Sequence, residues 1–225
     1  MRHNTTIGFD AKCANAPLGA RGRYARFVIG ALASEASRHG YFRMYLPSRE
    51  SNPKYDALAA RHNVESMEPD GSLWRVLSWP WRLWRVSKDA ERGRVELYHG
   101  LDELLPLGLQ RKNIRSVVTI HSLGFLHRAE YGHVERLWHR LRLMPVLRYS
   151  DRIVAVSECV KRELVRYMGV DPDKVDVHFT SAAGDSTYKL GKSVEVLVNL
   201  LRSINLFYVD DVEPDKIMDA AAQGM

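Results

Sequence analysis

Short apolar runs alternate with longer stretches of helical periodicity along the chain as far as residue 179. Each run holds about four to eight residues and is rich in β-branched and aromatic side chains, which is typical of a buried strand. Strands are predicted at residues 5–10, 41–47, 62–68, 95–99, 114–120, 152–157 and 174–179. The longest helices are predicted at residues 23–38, 131–149 and 158–169. This alternation predicts an α/β fold, a Rossmann-like parallel sheet flanked by helices.

The pattern changes after residue 179. A turn-rich segment, TSAAGDSTYKLGK, precedes an apolar helix predicted over residues 194–204, and one short strand and the start of another helix follow. We therefore expect residues 1–190 to form one domain, and residues 191–225 to be a linker helix with the incomplete start of a second domain. Such a short segment cannot bury a core of its own. It is expected to seek a partner surface, such as a second copy of the chain.

Composition narrows the function classes only slightly. The chain is 45% hydrophobic and 27% charged, as globular proteins are, and its net charge is +6 with a pI near 9.4. That excess suits phosphates or an anionic membrane surface, and it suits a well-solvated basic protein equally. Its two cysteines, Cys13 and Cys159, form neither a disulfide framework nor a zinc pattern, and we expect no metal and no cofactor. MRHNTTIGFD lacks the apolar core of a secretory signal, so a cytoplasmic location is expected.

Polar residues follow several predicted strands directly. They are Asp10, His99, His121, Ser157 and Glu158. Because ligands of parallel α/β sheets bind at the carboxyl ends of the strands, these residues predict one site at that edge. Two alternatives stay open: His121 ties a loop to a backbone carbonyl, and Ser157 is a helix N-cap.

The segment LGARGRY, residues 18–24, joins the first strand to the first long helix. Gly19 and Gly22 would let the backbone approach a ligand, while Arg21 and Arg23 bring positive charge to a helix N-terminus, where anions bind. The segment is neither a Walker loop nor a G-x-G-x-x-G fingerprint. The alternative is a turn with two solvated arginines.

Three segments together resemble a known family. IGFDAK…GARGRYARFVIGALA, ELYHGLDELLPLGLQRKNIRSVVTIHSLGFLHRAEY and YSDRIVAVSECVKRELVRYMGVDPDKVDVHF are similar, in this order, to the N-terminal half of bacterial glycosyltransferases of family 4 with the GT-B fold. The resemblance implies two Rossmann-like domains facing each other across a cleft. It implies that the first domain binds the acceptor and that the second holds most contacts to a nucleotide sugar. Transfer in that family retains the anomeric configuration and usually needs no metal.

The resemblance also assigns roles to residues. It implies that His121 is catalytic and faces the transferred sugar, that Gly19, Gly22 and Arg23 lie near the donor diphosphate and the acceptor, and that His99, Ser157 and Glu158 line the same edge. Its partners would be a nucleotide sugar and a glycan or lipid-linked acceptor, in the synthesis of a surface glycan or lipopolysaccharide. Two departures from the family pattern are Ser122, where an aspartate is usual, and Ala20-Arg21-Gly22, which shift the loop register.

The missing second domain favours a competing interpretation. A chain that lacks the nucleotide-binding half would be inactive alone, and it would then be a truncated module that binds a glycan, a membrane surface or a partner chain supplying that half. A basic nucleic-acid-binding domain is the third interpretation, which we disfavour, and no nucleic-acid partner is predicted.

The segment SLWRVLSWPWRLWRVSK, residues 72–88, is rich in tryptophan and arginine. At helical spacing Trp74, Trp81 and Trp84 lie near one face, with Arg82 and Arg85 close by, and this composition suits anionic lipid headgroups. These five residues are the membrane-surface candidates, and they predict a peripheral position on the inner membrane face. In the alternatives, the tryptophans pack on the sheet or stack on single-stranded nucleic acid.

Overall fold

A computed structural model describes residues 5–35 and 40–177. Seven strands form one sheet: β1 Thr5–Asp10, β2 Gly40–Tyr45, β3 Val64–Met67, β4 Leu97–Gly100, β5 Arg115–Ile120, β6 Arg152–Ala155 and β7 Val175–Val177. Their order across the sheet is β3-β2-β1-β4-β5-β6-β7, and every neighbouring pair is parallel. The predicted α/β class and Rossmann-like parallel sheet are therefore confirmed.

The strands can be recognised in the sequence because helices cover both faces of the sheet. Val117 packs into the core on one face, and its neighbour Val118 packs into the core on the other. A strand buried on both faces shows a continuous apolar run instead of an alternating one.

Eight α-helices lie between the strands in the described part of the chain. They are α1 Lys12–Asn15, α2 Ala20–Glu35, α3 Pro53–Ala59, α4 Ser72–Val76, α5 Ser78–Pro80, α6 Val86–Arg92, α7 His133–Tyr149 and α8 Glu158–Met168. A π-helical turn, Trp81–Arg85, separates α5 from α6. Helix α8 ends where predicted, with Gly169 in the left-handed conformation.

The helices form two layers. Helices α2 and α3 cover one face of the sheet, and α6, α7 and α8 cover the other. On the inner side of α7, the ring of His139 stacks against Phe125 at a centroid distance of 5.3 Å and meets Tyr131 edge-on at 5.4 Å. None of the described helices is long and apolar enough to cross a membrane.

Strand order creates one crevice. The chain leaves β1 toward β2 on one side, and later returns to place β4 on the other side of β1. In parallel sheets the connections diverge at such a reversal of strand order, and ligands of these folds bind at the carboxyl edge beside it. The predicted domain boundary at residue 190, and the linker helix and strand beyond it, fall outside the described residues.

Candidate functional site

The site lies beyond the carboxyl ends of β1, β4 and β5, next to the N-terminus of α2. His121 is the first residue after β5. Its ring Nε2 lies 2.9 Å from the carbonyl oxygen of Leu101, and its backbone N–H donates to Glu103 Oε1 at 3.2 Å. Because a carbonyl only accepts, Nε2 carries the hydrogen, and in the neutral ring Nδ1 is an acceptor. His121 thus ties the loop after β5 to the loop after β4, as the alternative interpretation predicted. Its Nδ1 remains available for another hydrogen bond.

The surroundings of His121 keep its ring neutral. Burial lowers its pKa below the ordinary value of 6.5, and the charge of Arg21 acts in the same direction. The Leu101 carbonyl and the carboxylate of Glu103 oppose the shift without reversing it. Tyr24 meets the ring edge-on, at a centroid distance of 5.2 Å and an angle of 89°. Among residues 5–35 and 40–177, no group donates a hydrogen bond to Nδ1, so this atom can accept one from a ligand hydroxyl.

Glu103 and Asp102 bring two carboxylates to the same edge. Arg21 Nη1 lies 2.9 Å from Asp102 Oδ1, and Nη2 lies 3.5 Å from Glu103 Oε1. Glu103 has a left-handed backbone, with φ 57°, and its N–H donates to the carbonyl of Thr119 at 3.3 Å. A residue other than glycine is strained in this conformation, and such residues concentrate at functional sites. The contacts with Asp102 and Glu103 compensate the positive charge of Arg21 within the site.

His99 lies beneath the site instead of lining it. Its side chain is buried, with 2% of its surface exposed, and Nε2 lies 2.9 Å from Thr119 Oγ1. The hydroxyl of Tyr24 meets the same Oγ1 at 3.3 Å. The prediction that His99 lines the binding edge is therefore wrong. Together with Thr119 and Tyr24 it forms a polar support under His121.

The first long helix begins earlier than predicted, and this changes the roles of the glycines. Helix α2 starts at Ala20, so Gly22 lies inside its first turn. A Cβ atom on Gly22 would lie 2.8 Å from the carbonyl oxygen of Cys13, so the absence of a side chain at Gly22 serves close packing of α2 on the loop after β1, while its backbone N–H belongs to the first turn of α2. Gly19 has φ 113° and open space around it. Arg23 is exposed on the first turn, and no acidic side chain of the described residues pairs with it.

Ser157 is the N-cap of α8. Its Oγ accepts a hydrogen bond from the backbone N–H of Val160 at 3.2 Å. The structural alternative for Ser157 is thus confirmed. Glu158 is exposed in the first turn, where a carboxylate favours the helix dipole. Both residues lie at the end of β6, the strand next to β5.

Two of the membrane-surface candidates are buried. Trp81 is 1% exposed and lies in the core of the second helix layer. Arg82 is 7% exposed, and its Nη2 donates to Asp10 Oδ2 at the carboxyl end of β1. Neither side chain can reach a membrane surface, so the prediction is wrong for both. The Asp10–Arg82 ion pair instead connects the tryptophan-rich segment to the floor of the crevice.

The other three candidates differ in exposure. Trp84 is exposed and Trp74 is half-buried, while Arg85 pairs with Asp89 at 3.2 Å. The π-helical turn Trp81–Arg85 explains why the tryptophans do not share one face, since a π turn rotates successive side chains by less than an α-helical turn.

The sequence interpretation did not select four residues that the structure brings to the site, namely Tyr24, Asp102, Glu103 and Thr119. Asp102 and Glu103 lie only two and three residues after the last residue of β4. Following each strand end a few residues further would have found both carboxylates. Within the described part of the chain, no three side chains of His, Cys, Asp or Glu come together to hold a metal ion.

Comparisons with known proteins identify a family and structures of similar fold. Residues 25–179 match the family model described as Glycosyltransferase Family 4. The chain is similar to the structure of a sucrose-phosphate synthase from Thermosynechococcus elongatus, with 12% identity and a TM-score of 0.51, over 89% of this chain and 99% of that one. It is also similar to a glycosyltransferase from Rickettsia africae, with 12% identity and a TM-score of 0.48, over 92% of this chain. The chain spans about half of that protein, 51% of its length. No curated protein matches.

Proposed function

Because this chain belongs to glycosyltransferase family 4, we propose that it contributes the acceptor-binding half of a retaining glycosyltransferase that uses a nucleotide-sugar donor. The observation that carries the proposal is the His121 imidazole at the carboxyl edge of the sheet, whose Nε2 is engaged by the Leu101 carbonyl and whose Nδ1 is left as a hydrogen-bond acceptor. A sugar presents hydroxyl groups, and a neutral ring nitrogen accepts from one of them without an electrostatic cost.

The donor diphosphate needs positive charge as its bond to the sugar breaks, because negative charge then develops on the leaving group. Arg21 is compensated by Asp102 and Glu103. Arg23 is exposed on the first turn of α2 and has no acidic partner in the described chain, so we assign the diphosphate contact to Arg23 and to the first amides of α2. Gly19, with open space around it, leaves room for the approach.

A second Rossmann-like domain would complete the cleft, either in a longer polypeptide or in a partner chain. In the family, that domain holds most contacts to the nucleotide. We propose a cytoplasmic enzyme at the inner membrane face, acting on a glycan or lipid-linked acceptor in surface glycan or lipopolysaccharide synthesis. Ser157 and Glu158, at the end of the neighbouring strand β6, would border the acceptor side.

A pair of substitutions at His121 tests this role. His121→Gln keeps a donor near the position of Nε2, so it retains the bond to the Leu101 carbonyl, but it has no acceptor at the position of Nδ1. His121→Asn does the reverse. We expect H121Q to keep nearly full stability and to lose ligand contact, and H121N to be the less stable variant.

The measurement is saturation-transfer NMR of the protein against a panel of nucleotide sugars and oligosaccharides, with urea unfolding of each variant as the control. Wild-type protein should show contact to at least one sugar ring. If H121Q retains that contact unchanged, His121 only ties the loops together and the proposed role is refuted.

A further inference from the structure

Helix α7 is apolar on the side that faces away from the sheet. Val134 is 82% exposed, Trp138 60% and Leu141 59%. Leu137, Met144 and Tyr149 are exposed with them. The opposite side of the helix packs into the core through Leu143, Val146 and Leu147. Monomeric soluble proteins rarely leave a contiguous apolar face of this kind uncovered, and such a face marks an interaction site.

Helical geometry makes this surface continuous. Successive residues of an α-helix are about 100° apart, so the six exposed apolar residues fall within an arc of about 140°. We call this arc the outer face of α7. The three core residues occupy the opposite side. A helix with apolar residues on two opposite sides needs two apolar neighbours, and the sheet supplies only one of them.

Arginine borders the outer face on both sides. At the same angular spacing, Arg142 lies beside the position of Tyr149 at one border and Arg140 lies beyond Met144 at the other, while Arg148 falls within the arc. None of these three arginines forms an ion pair with a described residue. The one acidic residue of α7, Glu135, caps the helix by accepting from the N–H of Gly132 at 3.0 Å.

We propose that the outer face of α7 docks on an anionic lipid surface, with the helix axis in the plane of the interface. Its apolar residues would enter the acyl boundary, while the bordering arginines extend their aliphatic stems along it and place their guanidinium groups among the headgroups. Trp138 and Tyr149 are suited to that boundary, where one end of a side chain is apolar and the other is wet. Charge decides in favour of lipid, because none of the three arginines is paired with a described residue and the one acid of α7, Glu135, lies outside the apolar arc, which matches an anionic surface.

The position of α7 fits the proposed function, and this one argument depends on that function. A helix that follows a parallel strand starts near the carboxyl edge of the sheet, so the Val134 end of α7 lies on the side of the crevice. A lipid-linked acceptor held in that membrane would then have its glycan near His121.

The tryptophan-rich segment is a matched control. Trp84 is exposed like Trp138. Its neighbouring arginines, however, are already paired, Arg82 with Asp10 and Arg85 with Asp89. This surface therefore has apolar exposure with one exposed cation, Lys88, a helical turn from Trp84, against three arginines on the outer face of α7, and we expect it to contribute less to binding.

The test is co-sedimentation of the full chain with two kinds of vesicle, phosphatidylcholine mixed with phosphatidylserine and phosphatidylcholine alone. Wild-type protein should prefer the anionic vesicles. The double variant W138S/L141S should bind them at least about tenfold more weakly, while W84S should bind like wild type. The triple variant R140Q/R142Q/R148Q should lose the preference for anionic vesicles together with most of the salt dependence.

Several outcomes would overturn the proposal. Because Trp138 and Leu141 are exposed, we expect the thermal unfolding midpoint of W138S/L141S to equal that of wild type. If the midpoint shifts, R140Q/R142Q/R148Q decides the test in its place. If wild type ignores both vesicles but light scattering shows a dimer that W138S/L141S dissociates, a second copy covers the face. If wild type ignores vesicles, stays monomeric and is destabilised by W138S/L141S, another part of this chain covers it. Vesicle binding needs no sugar donor, so its failure and that of the transferase proposal are distinguishable.

Discussion

The Asp10–Arg82 ion pair allows a quantitative test of how the tryptophan-rich segment is held. Both side chains are almost fully buried, and besides Arg82 the carboxylate accepts from the backbone N–H of Lys12 at 3.3 Å. Arg82→Met would leave that carboxylate in the interior without its counter-charge. Removing one partner of a buried ion pair costs about 3–5 kcal/mol of unfolding free energy. Since small domains have only about 5–15 kcal/mol in total, the loss should be easy to measure.

The double variant D10N/R82M separates the charge from the packing. It removes both charges, so the penalty for the unpaired carboxylate disappears. The Nε of Arg82 has no hydrogen-bond partner among the described residues, which means that the guanidinium is only partly satisfied in the native protein. We therefore expect the double variant to recover about 2 kcal/mol or more relative to R82M.

Urea unfolding followed by far-UV circular dichroism and tryptophan fluorescence gives the free energies. Arg85→Met is the control in the same turn, because its pair with Asp89 is partly exposed and should contribute about 1 kcal/mol or less. A loss below about 1 kcal/mol for R82M would refute the reasoning. The reasoning would also be refuted if D10N/R82M lost as much unfolding free energy as D10N and R82M lose together.

Three further predictions follow from the backbone and from His121. Within α2, Gly22→Ala should cost about 1–3 kcal/mol of unfolding free energy, because its Cβ would lie 2.8 Å from the carbonyl oxygen of Cys13. Gly30→Ala should instead gain about 0.5–1 kcal/mol, because its Cβ would lie at an ordinary 3.7 Å from Leu58 Cδ1. Equal losses for the two variants in urea unfolding would contradict this. Ser157→Ala should lose about 1 kcal/mol of stability and Ser157→Asn almost none, which thermal unfolding of the two variants compares directly. The pKa of His121 is lowered in the folded state, so the unfolded chain binds the proton more readily; its contribution to stability is complete above about pH 6.5 and is lost as the pH falls through the folded pKa. H121Q should therefore show a smaller drop in stability than wild type between about pH 7.5 and 5.5, and an identical drop would contradict this assignment.

The strands could be predicted from the sequence because burial on both faces of the sheet leaves a local signal. The sequence also indicates which residues follow each strand, and His121 and Asp10 were found in this way. It could not predict the partners of those residues. Arg21 and Asp102 are 81 positions apart, and only the strand order brings them together. The same holds for Asp10 and Arg82, which are 72 positions apart.

The errors have two local causes. The prediction of a common face for Trp74, Trp81 and Trp84 applied α-helical spacing to the whole segment, but the segment contains a break at Leu77, with ψ 52°, and then the π-helical turn. For Gly22, the loop composition of LGARGRY concealed a helix that already begins at Ala20. Helix boundaries depend on backbone hydrogen bonds as well as on composition, so a glycine near the start of a helix does not reveal which side of the boundary it occupies.

The two apolar sides of α7 also pose a problem for folding. During collapse, a rotation of the helix by half a turn would present the Trp138 side to the sheet in place of the Leu143 side, and hydrophobicity alone would barely distinguish the two arrangements. The discrimination can come from His139, whose ring packs against Phe125 and Tyr131 in the native orientation and would be turned away from both by the rotation. A single polar aromatic residue would thereby define which side of the helix is inside, and the inverted arrangement would be a kinetic trap that forms most readily when no surface is present to engage the outer face.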